Sequence, residues 1–308
     1  MKTPELLVTP KSIKNLEELI EAGADAFIIG ESAFGLRLAG EFSRDEVKEA
    51  LEIAHKHNKK VYVAVNAIFH NEKIDEMTEY VAFLGEIGVD AIVYGDPAVL
   101  MAAREVAPNT LLHWNTETTA TSWFTCNYWG RRGAKRAVLA RELSLDAVVE
   151  TKENAEIEIE VQIQGMTCMF QSKRSLIGNY FTYLDRNMDI SRDSESQMYL
   201  WDKERGTKYP VYEDCNGTHI MSPNDICMID ELDEFLDAEI DCLKIDGVLK
   251  SAEYIVAITK LYRTAIDAYI NNREDYKNIK GDLYSKVENM QPVNRPLDTG
   301  FFFKETVY

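Results

Sequence analysis

The 308-residue chain lacks most of the motifs that announce an activity. Its five cysteines are odd in number and none stands in a CxxC pair, which favours a reducing cytoplasm over a disulfide framework. No HExxH occurs, so a zinc protease would be missing its two histidines one helical turn apart and its glutamate base. GxSxG is absent, and with it the usual serine-hydrolase nucleophile. No GxGxxG follows the first strand candidate, which weakens a dinucleotide-binding reading. The opening "MKTPELLVTP" has no apolar signal-peptide core. No apolar run approaches the roughly 18–20 residues that span a bilayer. These absences predict a cytoplasmic protein without membrane contact. Basic residues are outnumbered, with 34 Lys and Arg against 52 Asp and Glu and a net charge of −18. That balance argues against a basic coat for nonspecific nucleic-acid binding, while leaving room for one local basic cleft.

What the chain does have is alternation. With 45% hydrophobic and 10% aromatic residues it can bury a sizeable core. The first units pair "ELLVT" with "SIKNLEELIEAG", "DAFIIG" with "SRDEVKEALEIAHKHN", and "KKVYVAVN" with "KIDEMTEYVAFLGEIG". The pattern continues through "VDAIVYGD", "TLLHWNT", "AKRAVLARE" and "EIEIEVQIQ". The eighth strand is "CLKIDGVL", with the helix "SAEYIVAITKLYRTAIDAYINN" behind it. Ser43 and Ser144 stand where N-caps would. Gly23, Gly88 and Gly133 each follow a helical run, as a C′ glycine would. Continuous apolar strands alternating with helices imply a parallel sheet. Eight units predict an α/β fold, a TIM-like (β/α)8 barrel, with a doubly wound open sheet as the competing architecture.

The seventh unit is irregular. A long polar stretch follows Gly165 before a helix expected over "SPNDICMIDELDEFLDAEI". An insertion over 166–222 at the carboxyl end of a barrel strand would overhang the barrel mouth. The barrel then occupies 1–270, and 271–308 forms a C-terminal helical segment and tail. The three consecutive phenylalanines of "QPVNRPLDTGFFFKETVY" would fold back onto the barrel or a partner rather than face water.

Strand carboxyl ends are where a barrel keeps its chemistry. They offer Thr9, Glu31, Asn66, Asp96, Asn115 with Glu117, Arg141 with Glu142, Gln164 and Asp246. His70 lies in the loop after the third strand. Each of these has an alternative as a helix cap or loop brace. Arg141 and Glu142 read as neighbours on one strand, so only one would face inward. An inward arginine would bind a carboxylate or phosphate bidentately. His70 is either a general base titrating near neutrality or a loop histidine bonded to a carbonyl. His113, inside a strand, reads as a satisfied core residue. The basic clusters "RRGAKR" and "SKRS", the latter with Lys173 and Arg174, have aromatics nearby in sequence. They could hold phosphates and stack bases, or simply be solvated charge. In "GMTCMFQSKRS", Cys168 is open to three readings: metal ligand, nucleophile or buried filler.

Together "ELLVTP", "EAGADAFIIG", "FGLR", "KKVYVAVNAIFHN", "GVDAIVYGDPAVL", "VLARELS", "NDICMIDEL" and "LKIDGVLKSAEY" resemble the collagenase-like peptidase family U32 over nearly the whole length. "HWNTETTATSW" and "GMTCMFQSKR" look like its shorter bacterial members that act in tRNA hydroxylation. The family name implies a peptidase. The better understood relatives imply oxygen-independent hydroxylation of tRNA, ribosomal RNA or a quinone precursor, with prephenate as a co-substrate.

The resemblance also implies a 4Fe-4S iron–sulfur cluster on four cysteines. Cys168 and Cys227 match two ligand positions, a second falls on Ser175, and the third belongs to a stretch missing between Asn187 and Asn216. Cys215 is a stand-in that does not fit the pattern. The expectation is therefore that this chain alone holds no stable cluster and works with a paralogous partner that keeps the full cysteine set. Its role would be 5-hydroxylation of the tRNA wobble uridine, with a peptidase or a non-catalytic subunit as alternatives and the oligomeric state left open. By position, Arg141 and Lys244 would hold an anionic group. Glu142 and Asp246 would position it, His70 would move protons, and Lys173 and Arg174 would touch tRNA phosphate. Glu31, Asn66, Asp96 and Asn115 would complete the substrate site.

Overall fold

The computed structural model describes residues 2–194 and 197–304. Eight parallel strands make the centre: β1 (Glu5–Val8), β2 (Ala26–Ile29), β3 (Lys60–Val65), β4 (Ala91–Tyr94), β5 (Leu111–Trp114), β6 (Ala134–Val138), β7 (Glu158–Gly165) and β13 (Cys242–Ile245). Each pairs with the next, and β13 pairs with both β7 and β1, so the sheet closes. The expected (β/α)8 barrel is the observed fold. Helices α1 (Ile13–Glu21), α2 (Arg44–Lys56), α3 (Ile74–Ile87), α4 (Pro97–Val106), α5 (Trp123–Gly130) and α6 (Leu145–Asn154) connect the first seven strands. Strands such as β2 (AFII) and β4 (AIVY) are buried along their whole length because helices cover one face and the barrel interior the other.

Local sequence fixes the helix ends. Ser43 accepts from Glu46 N while Glu46 accepts from Ser43 N, a complete capping box. The Ser144 hydroxyl accepts from Ala147 N at 3.3 Å. Gly88 closes α3 at φ 75°, a left-handed position where a Cβ would be strained. Among the described residues, no helix is long and apolar enough to cross a membrane.

The barrel interior is apolar in its middle, where Leu7, Ala26, Ile28, Tyr62, Ala64, Ala91, Val93 and Cys242 pack together. Its amino-terminal end is charged. Arg136 lies 2.8 Å from Glu5, 2.9 Å from Glu158 and 3.7 Å from Glu160. The Tyr62 hydroxyl donates to Glu5 at 2.8 Å. His113, buried in β5, packs edge-on to Tyr62 at 4.6 Å. It is a core residue as expected, but its Nδ1 has no partner.

The insertion carries a second sheet. Strands β8 (Cys168–Ser172), β9 (Met198–Asp202), β10 (Thr207–Asp214) and β11 (Gly217–Met221) form an antiparallel sheet in the order β8-β11-β10-β9. Helix α7 (Leu176–Tyr183) lies between β8 and β9 and has no buried residue. The long helix expected after the insertion is not formed. Asp225–Cys227 is a buried strand, β12, which pairs antiparallel with the end of β7 through Ile226 to Gly165 and Cys227 to Gln164. Only α8 (Leu232–Asp237) is helical there. The open edge of β7 wins over the helical periodicity of "DICMIDELDEFL", because a buried strand end needs its backbone groups paired.

Helices α9 (Ala252–Asn271) and α10 (Arg273–Met290) follow β13, and the tail then returns to the barrel through β14 (Leu297–Asp298), parallel to β12. Phe302 is buried edge-on to Phe235 at 5.1 Å, and its carbonyl accepts from Leu145 N at 2.9 Å, serving an orphan donor of α6. Phe301 and Phe303 are exposed, so one phenylalanine of the three docks. Residues 305–308 of the expected tail lie outside the described residues.

Candidate active site

Period-two alternation places Lys244 and Asp246 on the same inward face at the carboxyl end of β13, with Lys244 Nζ 3.0 Å from Asp246 Oδ2. Thr9, Asn66 and Asn115 stand at the ends of β1, β3 and β5 and line the same chamber. The two asparagines spend their side chains on loops. Asn66 Oδ1 accepts from Leu36 N at 2.8 Å, and Asn115 Oδ1 accepts from Glu117 N at 3.1 Å. Those loops carry Arg37 and Glu117, whose side chains are ion-paired in the mouth.

Both of these residues have left-handed backbone, Arg37 at φ 51° and Glu117 at φ 63°. Such conformations cost about 1–3 kcal/mol each and persist where the surroundings fix them. Arg141 grips the same carboxylate as a fork, Nη1 lying 3.3 Å from Glu117 Oε2 and Nη2 3.4 Å from Oε1. Arg37 Nη1 also donates to Gln171 Oε1 at 3.3 Å, which ties the barrel to the insertion. Burial alone would raise the Glu117 carboxyl, but Arg141 and Arg37 outweigh it and hold the group well below the usual carboxylate range.

Met166, Met221, Val248 and Cys168 roof the chamber. Burial pushes the Cys168 thiol up, and the Arg37 and Arg141 charges offset this only in part. No histidine lines the chamber, so the thiol lacks the cysteine–histidine pairing of a cysteine nucleophile. The chamber holds about 20 Å³, room for little more than one water. Beyond Cys168 it opens into a groove of about 470 Å³, which shares Arg37, Asn66, Asn115, Glu117 and Cys168 with it. The outer walls of the groove are Ile68, Met169 and Phe170, all exposed.

The structure thus brings Asn66, Asn115, Arg141, Lys244, Asp246 and Cys168 together. The other predicted site residues stand elsewhere. Asp96 borders the groove, but its carboxylate caps α4 at Ala98 N and accepts from Phe69 N. Glu31 lines neither space and faces Arg44 at 3.6 Å, with burial raising its pKa. His70 is exposed ahead of a short 3-10 turn, Asn71–Lys73. β6 ends at Val138, so Arg141 and Glu142 are not strand neighbours; both lie in the turn beyond it, and only Arg141 reaches the chamber while Glu142 is exposed. Lys173 and Arg174 are exposed in the turn between β8 and α7. Strand-end reasoning passes over Arg37, because it sits in a loop. The available signal was a lone charge inside "AFGLRLAG".

The cysteines do not converge. Cys168 is in the roof of the chamber. Cys227 is buried in the core, its Sγ 3.9 Å from the Tyr262 hydroxyl and its thiol pushed by burial to about 11. Cys215 is exposed, with its Sγ 3.1 Å from the Ser32 carbonyl, and Ser175 is also exposed. Among the described residues, no group of three or more His, Cys, Asp and Glu could hold a metal ion. This thiol set does not fit a four-thiolate cluster.

Residues 11–307 match the family model Peptidase family U32. The chain is 66% identical to tRNA hydroxylation protein P2 of Bacillus subtilis (strain 168), across 100% of both chains. It is 33% identical to tRNA hydroxylation protein P1 of the same organism, over 98% of this chain and 71% of that one. The solved structure of the U32 peptidase Mk0906 superposes with a TM-score of 0.50 at 12% identity, over 80% of this chain and 93% of that one, a likeness of fold. On both the family match and the full-length identity, the chain belongs to peptidase family U32.

Proposed function

We propose that this protein acts in tRNA hydroxylation, on carbon 5 of the wobble uridine. The observation that carries the reading is the two-compartment mouth: an open, apolar-walled groove that narrows past Cys168 into a closed, charged chamber. Its volume falls within the roughly 300–1,000 Å³ of small-molecule sites, enough for one unstacked nucleotide. Enzymes that modify a base must take it out of the stack, and anticodon-loop bases are easily splayed. Ile68, Met169 and Phe170 offer the apolar faces on which such a base would stack. β8 leads outward from Cys168 to Lys173 and Arg174, which a rise of about 3.3 Å per residue places a few nucleotides away. Those cations would meet the flanking phosphates. At the inner end, Asp246, held by Lys244, is the carboxylate available to position or deprotonate a group.

The names of the two Bacillus subtilis relatives support the reaction class, and their coexistence in one organism supports a paralogous pair. With its cysteines dispersed, this chain would leave the iron–sulfur cluster to that partner. Nucleoside mass spectrometry of tRNA tests the function, comparing a strain lacking this gene and its functional relatives with the complemented strain. Loss and return of 5-hydroxyuridine derivatives is the expected result. Unchanged levels would remove the reading and leave the peptidase activity implied by the family name to be assayed next.

A further inference from the structure

The sheet of the insertion has two edges, and they are finished differently. At one, β8 borders the groove, and its Gln171 is held by Arg37 of the barrel. At the other, β9 has no strand beyond it among the described residues. Open strand edges are templates for pairing, and proteins usually blunt them with lysine, proline, a bulge or a covering loop. From Met198 to Asp202, β9 reads MYLWD. It carries no lysine and no proline, and its register against β10 runs without a shift. Tyr199, Leu200 and Trp201 are 40%, 50% and 57% exposed. Strand alternation puts Leu200 on one face and the two aromatic rings on the other, so both faces of this edge are apolar and open.

Pro210 settles which backbone groups are free. It lies opposite Tyr199 in the β9–β10 ladder and has no N–H. Tyr199 and Pro210 are therefore a non-hydrogen-bonded pair, and the bonds to β10 come from Met198, Leu200 and Asp202. The N–H and C=O of Tyr199 and Trp201 point out from the sheet. A second β9 laid antiparallel about a twofold axis at Leu200 sets each Tyr199 opposite the other copy's Trp201. The outward groups of both strands are then paired with each other. Aromatic side chains meet across the junction, a favourable cross-strand pairing. Charge does not oppose it. Residues 198–208 hold Lys203, Arg205 and Lys208 against Asp202 and Glu204, a surplus of one positive charge in a chain of net −18.

We infer that β9 is a self-association edge, through which two copies of this chain join their insertion sheets into one antiparallel sheet of eight strands. A second copy is the occupant because the strand is its own complement in this register, in backbone groups and in side chains. The contact is small beside the roughly 800 Å² per partner of a standard interface, which puts dissociation in the micromolar range. It involves neither the chamber nor RNA, so it stands or falls separately from the tRNA reading.

The test is sedimentation velocity of the full chain, in reductant and without RNA. From about 1 to about 200 µM it should show a monomer passing to a dimer. Trp201→Lys, which places a charge at the junction, should raise the dissociation constant about tenfold or more. Tyr199→Pro removes an outward N–H that β10 does not use. It should abolish the dimer and leave the circular dichroism unchanged. Tyr183→Lys, at an exposed ring of α7, should leave the dimer as it is. Leu200→Cys in a Cys215→Ser background reports the register. At the axis the two α-carbons would stand about 4.5 Å apart, close enough for mild oxidation to join the introduced thiols. A chain that stays monomeric at about 200 µM, a dimer that Trp201→Lys and Tyr199→Pro leave intact, or no covalent dimer from Leu200→Cys would overturn the inference.

Discussion

Arg37 and Glu117 reach each other from loops on opposite sides of the barrel mouth, and each does so from left-handed backbone. The pair closes the ring of loops above β2 and β5, and Arg141 joins it from the loop after β6. Removing Glu117 leaves two buried guanidiniums facing one another. Glu117→Ala should cost about 3–5 kcal/mol. Arg37→Ala combined with it should cost less than the sum of the two single changes, with a coupling of about 1–3 kcal/mol. Urea denaturation of the four proteins measures this cycle. Strict additivity would mean that the pair is not coupled in solution.

At the other end of the barrel, Glu5 sets an acid limit on stability. Burial would raise its carboxyl, but Arg136 and Lys60 overcome that and bring it down to about 2 from 4.5. A carboxyl depressed in the folded state contributes stability above its unfolded pKa and loses it as pH falls through the folded value. Glu5 therefore contributes about 3 kcal/mol at neutral pH, lost between about pH 4.5 and pH 2. Chemical denaturation at pH 7, 4 and 3 should show the decline, and Glu5→Gln should flatten it. An equally steep decline in that variant would place the acid sensitivity elsewhere.

The groove and the β8–α7 turn make different contributions to RNA binding. Replacing Lys173 and Arg174 with alanine should weaken tRNA affinity. It should also lower the slope of log K against log salt by about 1.4, at roughly 0.7 per single-strand phosphate contact. Phe170→Ala should cost about 1–3 kcal/mol, the worth of one stacked base, and leave the salt slope unchanged. Filter binding at several salt concentrations separates the two. Unchanged affinity in both variants would move the RNA to another face.

The tail can be dissected one ring at a time. Phe302→Ala removes a buried ring from its contact with Phe235 and should cost about 3–5 kcal/mol. Phe301→Ala and Phe303→Ala, both at exposed positions, should stay within about 0.5 kcal/mol. Thermal melts of the three variants distinguish docking by one ring from docking by the whole triplet.

The barrel was legible because its strands are buried on both faces. "AFII" and "AIVY" have no polar alternation to mislead, and the serines and glycines at the helix ends are local signals. β12 was not legible. Its pairing depends on the free edge of β7, distant in sequence, and the short-range helical pattern of the same residues pointed the other way. The site was legible where a side chain leaves a strand, as at Lys244 and Asp246. It failed where a loop decides direction. His70 and Glu142 follow their strands in sequence, yet their loops turn them to solvent, while Arg37 is carried inward by a loop that strand counting ignores.

Asn66 and Asn115 alter how mutagenesis of this mouth should be interpreted. Each offers its side-chain oxygen to the loop that bears a charged residue, while also lining the chamber and the groove, so each can act through its loop as well as on anything bound there. An alanine at either position would release a loop and carry Arg37 or Glu117 out of register. The lost activity alone would then not separate a loop effect from a lost contact of the amide. Aspartate at these positions keeps the oxygen acceptor that positions the loop while removing the amide donor, so comparing Asn→Asp with Asn→Ala distinguishes a splint from a contact.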